Sequence, residues 1–146
     1  MKKIYVLFVM AFLMLIPVYA QQRPGGGKED KRKELREYKM KYLAQEMELS
    51  GDDQKKFFEV YNQLSDERGA VRREIRVLDR KIRENNATDA DYESLNRAKE
   101  KFAEIDKRYD SKFSTFLSGK QIFKMKEAEA VFMKKMRELR ENGKKR

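Results

Sequence analysis

The residues most suited to a chemical role are four arginines at every fourth position: Arg68, Arg72, Arg76 and Arg80. Residues four apart lie on one face of a helix, where like charges repel by roughly 0.2–0.5 kcal/mol per pair. Acids on a neighbouring antiparallel helix could offset this repulsion, the candidates being Glu93, Glu100 and Asp106. Alternatively, the arginines form a positive surface that attracts acidic segments of another protein.

Catalytic chemistry finds little support in the composition. Histidine and cysteine are absent, which removes the commonest general base and the soft ligands for metals such as zinc. The stretch "PGGGKED" at 24–30 lacks the spacing and the following Ser or Thr of a phosphate-binding loop. The sequence therefore predicts a protein that is not an enzyme, with no catalytic residue, no metal site and no cofactor.

Five methionines fall on the first and last apolar segments: Met40, Met47, Met125, Met133 and Met136. Flexible thioethers suit surfaces that bind partners of many shapes, but they also fill ordinary cores. The spacing of these methionines fits both interpretations. Met40 and Met47 join the four arginines as candidate residues for binding another protein.

The N-terminus has the three regions of a secretory signal peptide, namely "MKK", an apolar run and "PVYA". The apolar run is about 13 residues long, shorter than the roughly 20 residues of a membrane-spanning helix. We therefore expect export to the periplasm, cleavage after Ala20 and no stable membrane insertion afterwards, rather than a retained anchor. The rest of the chain divides into a flexible Pro/Gly leader at 21–28, a helical domain at 29–142 and a basic tail at 143–146.

Charged residues make up 41% of the chain, and the net charge is +10. One domain of long, exposed helices fits this composition better than a sheet protein does. A basic chain ordinarily suggests nucleic acid as a partner, but an exported protein seldom meets any, so acidic polypeptides and anionic membrane surfaces rank higher. The lack of cysteine excludes disulfides and a lipid-modified cysteine.

Apolar residues recur at spacings of three and four along four segments, which predicts four helices. The first helix stops near Leu49 and contains Leu35, Tyr38, Tyr42, Leu43 and Met47. The second is a heptad seam with Arg68 in one core position, and its apolar members are Phe57, Tyr61, Leu64, Val71, Ile75, Leu78 and Ile82. The third contains Leu95, Phe102, Ile105, Tyr109, Phe113 and Phe116. The fourth begins near Lys120 and contains Phe123, Val131, Phe132, Met136 and Leu139.

A turn between the second and third helices is predicted at Thr88, which is followed three residues later by the carboxylate of Asp91. Two helices of about 30 residues would each reach roughly 45 Å. The predicted fold class is therefore all-α, an elongated antiparallel long-helix hairpin flanked by two shorter helices. Such a hairpin has few apolar layers, so we expect its remaining apolar face to be buried in an intertwined homodimer or against another protein.

The sequence Leu-Ser-Gly-polar-Gln occurs at 117–121, and a near-copy with the glutamine one position late occurs at 49–54. At 117–121, Ser118 is predicted to accept a hydrogen bond from the next turn while Gln121 reaches back, which is a capping box. Leu117 would then pack on Ile122 or Phe123.

The copy at 49–54 is predicted to act in the same way, with Ser50 as the cap and Asp53 at the third helical position. Leu49 would pack near Gln54 and Phe57. Each copy therefore predicts a sharp joint between two helices.

Two such joints, one on each side of a long helical hairpin in a basic, cysteine-free chain, resemble the LTxxQ motifs of the Spy/CpxP family of periplasmic proteins. The matching residues are Leu49, Ser50, Gln54, Leu117, Ser118 and Gln121, with serine in place of threonine. The resemblance implies a cradle-shaped helical dimer that holds unfolded or partly folded envelope proteins without ATP, or that restrains an envelope stress sensor. Some relatives sense heavy metals through histidine-containing sites, for which this chain has no ligands.

Two other functions stay open. A regulatory binding module would recognise one partner, the periplasmic part of a stress sensor or an anti-sigma factor, and would ignore unrelated proteins. A Skp-like chaperone for outer-membrane proteins would share the export, the basic charge and the long helices. It would also be trimeric, and no strand-rich segment is evident here to build its body.

Overall fold

The computed structural model describes residues 27–144, which form four helices and the short connections between them. The predicted signal peptide and residues 21–26 of the predicted leader lie outside the described residues. The helices are α1 (Lys28–Glu46), α2 (Gly51–Arg83), α3 (Asp89–Phe113) and α4 (Gly119–Lys144). No β-strand occurs between residues 27 and 144, and the predicted all-α fold class is confirmed.

The chain divides into two units between Glu37 and Tyr38. The described part of the first unit is the N-terminal portion of α1, where nearly all side chains are exposed, including Leu35. The second unit contains the remainder of α1 together with α2, α3 and α4.

Within the second unit, α2 and α3 form the predicted antiparallel hairpin. Lys81 pairs with Asp91 near the turn, where Nζ lies 2.7 Å from Oδ1. At the other end, the rings of Phe57 and Phe113 lie 5.8 Å apart. Most of the predicted seam of α2 is buried, while Ile75 and Ile82 are half-buried at the edge.

The turn of the hairpin contains the predicted cap. The Asp91 backbone N–H donates to Thr88 Oγ1 at 3.3 Å, and the Thr88 N–H donates to Asp91 Oδ2 at 2.9 Å. This reciprocal pair satisfies two backbone donors that a helix start otherwise leaves unpaired. The capping box at Thr88 is therefore confirmed.

The hydrophobic core of the second unit forms where α1 and α4 pack on the hairpin. Its largest fully buried side chains are Tyr61, Tyr109, Phe57, Phe113, Leu43 and Met47. At the far end of the hairpin, Leu78 and Leu95 are buried outside this cluster. α4 has 26 residues and α3 has 25, so only one of the two flanking helices, α1 with 19, is shorter than both helices of the hairpin.

Candidate functional site

Arg68 occupies the core position predicted for it on α2, and its charge is paired there. Its Nε donates to Asp106 Oδ1 at 2.6 Å, and its Nη1 donates to Glu129 Oε1 at 3.0 Å. Only 15% of the side chain is exposed. The pairing with Asp106 across the hairpin is one of the two arrangements that the sequence predicted, whereas Glu129 was not anticipated.

Glu129 on α4 is the centre of a largely buried polar cluster. Its Oε1 accepts hydrogen bonds from Lys39 Nζ at 2.7 Å, from Tyr61 OH at 2.6 Å and from Arg68 Nη1. We call these four residues and Asp106 the Glu129 cluster. Its members come from all four helices. The Glu129 Oε1 atom links α4 to α1 and α2, and Arg68 links α2 to α3 through its bond to Asp106.

Helical spacing explains why these polar side chains face the core. Tyr61 and Arg68 are seven residues apart on α2, which places them on one face two turns apart. Glu129 lies four residues after Met125, which is 3% exposed. Lys39 lies four residues before Leu43, which is fully buried, and residues at this spacing share a helix face.

The cluster shifts the acidity of its members. Burial would raise the pKa of the Glu129 carboxyl, but Lys39 and Arg68 outweigh it and hold that pKa below its ordinary value. Burial lowers the pKa of Lys39 and outweighs the opposing effect of the Glu129 carboxylate, while the nearby charges of Arg68 and Arg72 lower that pKa further. Burial and then the negative charge of Glu129 raise the pKa of the Tyr61 hydroxyl. At neutral pH the carboxylate is therefore ionised and Tyr61 is a donor.

The other three predicted arginines, Arg72, Arg76 and Arg80, lie exposed on α2. No ion pair involves them in the described part of the chain. Arg72 lies over the ring of Phe102, with its guanidinium carbon 5.2 Å from the ring centroid. The predicted pairing of Glu93 with these arginines does not occur. Glu93 pairs instead with Arg97 on its own helix, at 3.6 Å. Within residues 27–144, no ion pair links Glu100 to α2. The half of α2 nearer the hairpin turn thus carries a row of exposed arginines that form no ion pair within the described residues.

The structure places the candidate methionines Met40 and Met47 in the core, where they are 5% and 2% exposed. Both lie on the face of α1 that packs on the hairpin and α4. They offer no accessible surface in this arrangement, and their binding role stays a prediction. Met133 on α4 is exposed instead.

The joint at 117–121 has the predicted geometry. The Ser118 N–H donates to Gln121 Oε1 at 2.9 Å, and the Gln121 N–H donates to Ser118 Oγ at 3.2 Å. Leu117 is buried, and Ile122 packs partly buried against the same core. Phe123 is 63% exposed, so only Ile122 of the two predicted contacts lies on the buried side.

The joint at 49–54 is built differently, and the capping box predicted for it is wrong. The Ser50 side chain makes no cap hydrogen bond, and Asp53 is exposed. Gln54 lies at the fourth helical position, where its backbone N–H donates to the Ser50 carbonyl at 3.4 Å. One residue beyond the third position is out of register for the reciprocal bond of a capping box.

At this joint, backbone hydrogen bonds at the end of α1 stand in place of the predicted side-chain cap. The Leu49 N–H donates to the Ala44 carbonyl at 2.9 Å, and the Glu48 N–H donates to the Gln45 carbonyl at 3.0 Å. Glu48 is in the left-handed region with φ 58°, so these two hydrogen bonds form a Schellman motif. Gly51 follows with φ 56°. The sequence resemblance between the two joints therefore covers two different structures.

Exposed apolar side chains form a further feature that sequence periodicity did not separate from the core. Those more than 40% exposed include Phe123, Val131, Met133 and Leu139 on α4, Val77 on α2 and Tyr92 on α3. The same periodicity marked Val131 and its neighbour Phe132, but only Phe132 is buried. α4 packs its Phe132 beside Tyr38 and Tyr42, with ring centroids 6.0 Å apart in both pairs.

Within residues 27–144, no three acidic side chains converge in a way that could hold a metal ion. No helix in the same range is long and apolar enough to cross a membrane. Comparisons with protein-family models, with curated proteins and with solved structures gave no match to this chain.

Proposed function

We propose that this protein is an ATP-independent chaperone or stress-accessory protein of the bacterial periplasm, which binds unfolded or partly folded proteins on a basic and apolar helical surface. The row of exposed, unpaired arginines on α2 carries the proposal. Unfolded chains expose both charge and apolar groups, and a row of arginines attracts acidic segments at a distance while its aliphatic stems make apolar contacts. The predicted signal peptide and the resemblance of the helix joints to LTxxQ motifs support the same role.

The surface proposed for binding is the half of the hairpin nearest its turn, which we call the distal hairpin surface. It comprises Arg72, Arg76 and Arg80 on α2, the half-buried Phe102 under Arg72, and the exposed side chains of Val77 and Tyr92. Arg68 is left out because its charge is already paired with Asp106 and Glu129. Met40 and Met47 are left out because they are buried.

Light scattering from an aggregating model protein tests the proposal, using the processed chain from Gln21 without nucleotide at low and moderate salt. We expect suppression of aggregation that weakens with salt, since exposed charges are screened beyond about 8 Å at physiological ionic strength. The variant R72Q/R76Q/R80Q should lose most of the suppression. The matched control K134Q/R137Q/R140Q removes the same charge from exposed positions of α4 and should keep it.

Equal loss in the two variants would show that total charge matters and that the distal hairpin surface has no special role. If the unaltered chain at several-fold excess does not suppress aggregation, the chaperone proposal is wrong. That result would favour instead a regulatory module with one dedicated partner, such as a stress sensor or an anti-sigma factor.

A further inference from the structure

The Glu129 cluster balances two cations against two carboxylates in a largely buried position. Lys39 from α1 and Arg68 from α2 supply the positive charges, and Glu129 from α4 and Asp106 from α3 supply the negative ones. Among the ion pairs within residues 27–144, Asp106 takes part only in the one with Arg68, through Nε. Glu129 is therefore the one acid in the cluster that is bonded to Lys39.

Loss of the charge on Glu129 would leave Lys39 without an anion. The Lys39 side chain is 14% exposed, and an unpaired cation at such a depth is strongly unfavourable. A protonated carboxyl also accepts weaker hydrogen bonds than a carboxylate does, while Oε1 has three donors directed at it. Lys39 gains full access to water when residues 38–46 of α1 move away from α4 and the hairpin.

The hairpin has contacts of its own that do not involve Glu129. Lys81 pairs with Asp91 near the turn, and Glu67 pairs with Arg108 farther along. Leu78 on α2 and Leu95 on α3, each 7% exposed, are buried outside the core cluster that α1 and α4 cover. Separation of α1 and α4 therefore leaves the α2–α3 pairing in place.

We propose that the Glu129 carboxylate is a charge-dependent latch, whose protonation releases α4 and residues 38–46 of α1 from the hairpin and exposes the apolar core beneath them. The exposed core would include Met40, Met47 and Phe57, which are all buried in the closed form. This inference rests on the proposed function for its biological use, because the opened core would add a second binding surface under acid conditions.

The direction of the pH dependence follows from the groups around Glu129. Lys39 faces it from α1, and Tyr61 and Arg68 face it from α2. Asp106 lies behind Arg68 on α3, and the charge of Arg72 acts on Lys39 and Tyr61. The two bonded cations hold the pKa of Glu129 below its ordinary value, so the latch is closed above that ordinary value. It opens as the pH falls through the lowered pKa of the folded state.

Binding of Nile red, an uncharged dye that fluoresces on apolar surfaces, tests the latch when followed from pH 7 to pH 2 beside the far-ultraviolet circular dichroism of the processed chain. The unaltered protein should show a several-fold rise in fluorescence at a pH where most of its helical signal remains. The variant K39M/Y61F/E129M replaces Glu129 and two of the three donors to its Oε1 by apolar side chains. Arg68 loses its bond to Glu129 but keeps its pair with Asp106. It should show no rise before its helices unfold.

Two single variants complete the test. E129Q should bind the dye at pH 7 already, whereas E138Q, which changes an exposed glutamate of the same helix, should titrate like the unaltered protein. The latch is overturned if K39M/Y61F/E129M opens at the same pH as the unaltered protein, or if a folded E129Q binds no more dye at pH 7. If E129Q fails to fold, the first comparison decides alone. No aggregating protein is used, so failure of the latch is distinguishable from failure of the proposed chaperone function.

Discussion

At the scale of single residues, the ion pairs of this chain fall into two groups. Pairs such as Arg97 with Glu93 have both side chains more than two-thirds exposed, and pairs of that kind contribute only about 0–1 kcal/mol. The pair of Lys39 with Glu129 is less than one-fifth exposed on either side. Breaking a buried pair by removing one partner costs on the order of 3–5 kcal/mol. Loss of the Glu129 charge should therefore destabilise the fold more than loss of a surface ion pair.

Asp91 is a residue whose titration is set clearly by its neighbours. Two hydrogen bonds lower the pKa of Asp91 to about 2: the larger effect comes from Lys81 Nζ and the smaller from the Thr88 backbone N–H. Because this folded-state pKa lies below that of the unfolded chain, the carboxylate stabilises the fold at neutral pH. The stabilisation is lost as the pH falls toward 2.

Carbon-13 NMR titration of the Asp91 carboxyl should therefore give a midpoint near 2. The variant Lys81→Ala should raise the midpoint toward the ordinary 3.8. Arg83→Ala removes another basic side chain of the last turn of α2, one that does not act on Asp91, and it should leave the midpoint much closer to that of the unaltered protein. A midpoint near 3.8 in the unaltered chain would contradict the hydrogen bonds at this turn.

At the scale of helices, the two joints provide a matched pair of serines. Ser118 completes a capping box, whereas the Ser50 side chain caps nothing. Ser118→Ala should lower the free energy of unfolding by about 1 kcal/mol, the usual effect of losing such a cap. Ser50→Ala should change it by less than about 0.5 kcal/mol, as is usual for surface substitutions.

Urea unfolding followed by circular dichroism measures both serine variants under the same conditions. Equal losses at the two positions would mean that Ser50 has a bond in solution that this structure does not show. A difference in the predicted order would support the view that the joint at 49–54 depends on backbone bonds, with Glu48 and Gly51 in left-handed conformations.

At the scale of the whole molecule, a net charge of +10 means that repulsion among like charges works against folding. The variant R72Q/R76Q/R80Q relieves three repulsive contacts, Arg68 with Arg72, Arg72 with Arg76 and Arg76 with Arg80, of roughly 0.2–0.5 kcal/mol each. It also removes the contact of Arg72 with Phe102, which at an exposed site contributes about 0.5–1 kcal/mol. The two effects nearly cancel, so the free energy of unfolding should change by less than about 1 kcal/mol.

Thermal and urea unfolding of this variant check that expectation. A loss of several kcal/mol would show that the exposed arginines hold the fold together. The proposed binding surface would then lose its basis, because a weaker suppression of aggregation could reflect unfolding of the chaperone itself.

The helices and the hairpin turn could be predicted from the sequence because they depend on near neighbours. The seam from Phe57 to Ile82 on α2 has a heptad period. Thr88 and Asp91 form the capping box of α3 within a single turn. The pairing of Arg68 with Asp106 also follows once an antiparallel hairpin is assumed. These features need no knowledge of how distant segments meet.

The Glu129 cluster could not be predicted, because it depends on how α1 and α4 approach the hairpin. Nothing near Glu129 in the sequence marks it as the partner of Lys39 or Tyr61. The burial of Met40 and Met47 has the same origin, since their spacing suits a core face and a binding face equally well. At the first joint, the shift of Gln54 by one position was visible in the sequence, but its structural effect was not.

Lys39 and Glu129 are separated by 90 positions in a chain of 146 residues. Since ribosomes build a chain from its N-terminus, α1 emerges long before the glutamate that anchors it. The hairpin can form from neighbouring segments in the meantime, but the core cannot close until most of α4 has been added. For much of its own synthesis, the nascent chain therefore presents apolar and basic helical segments that themselves need shielding.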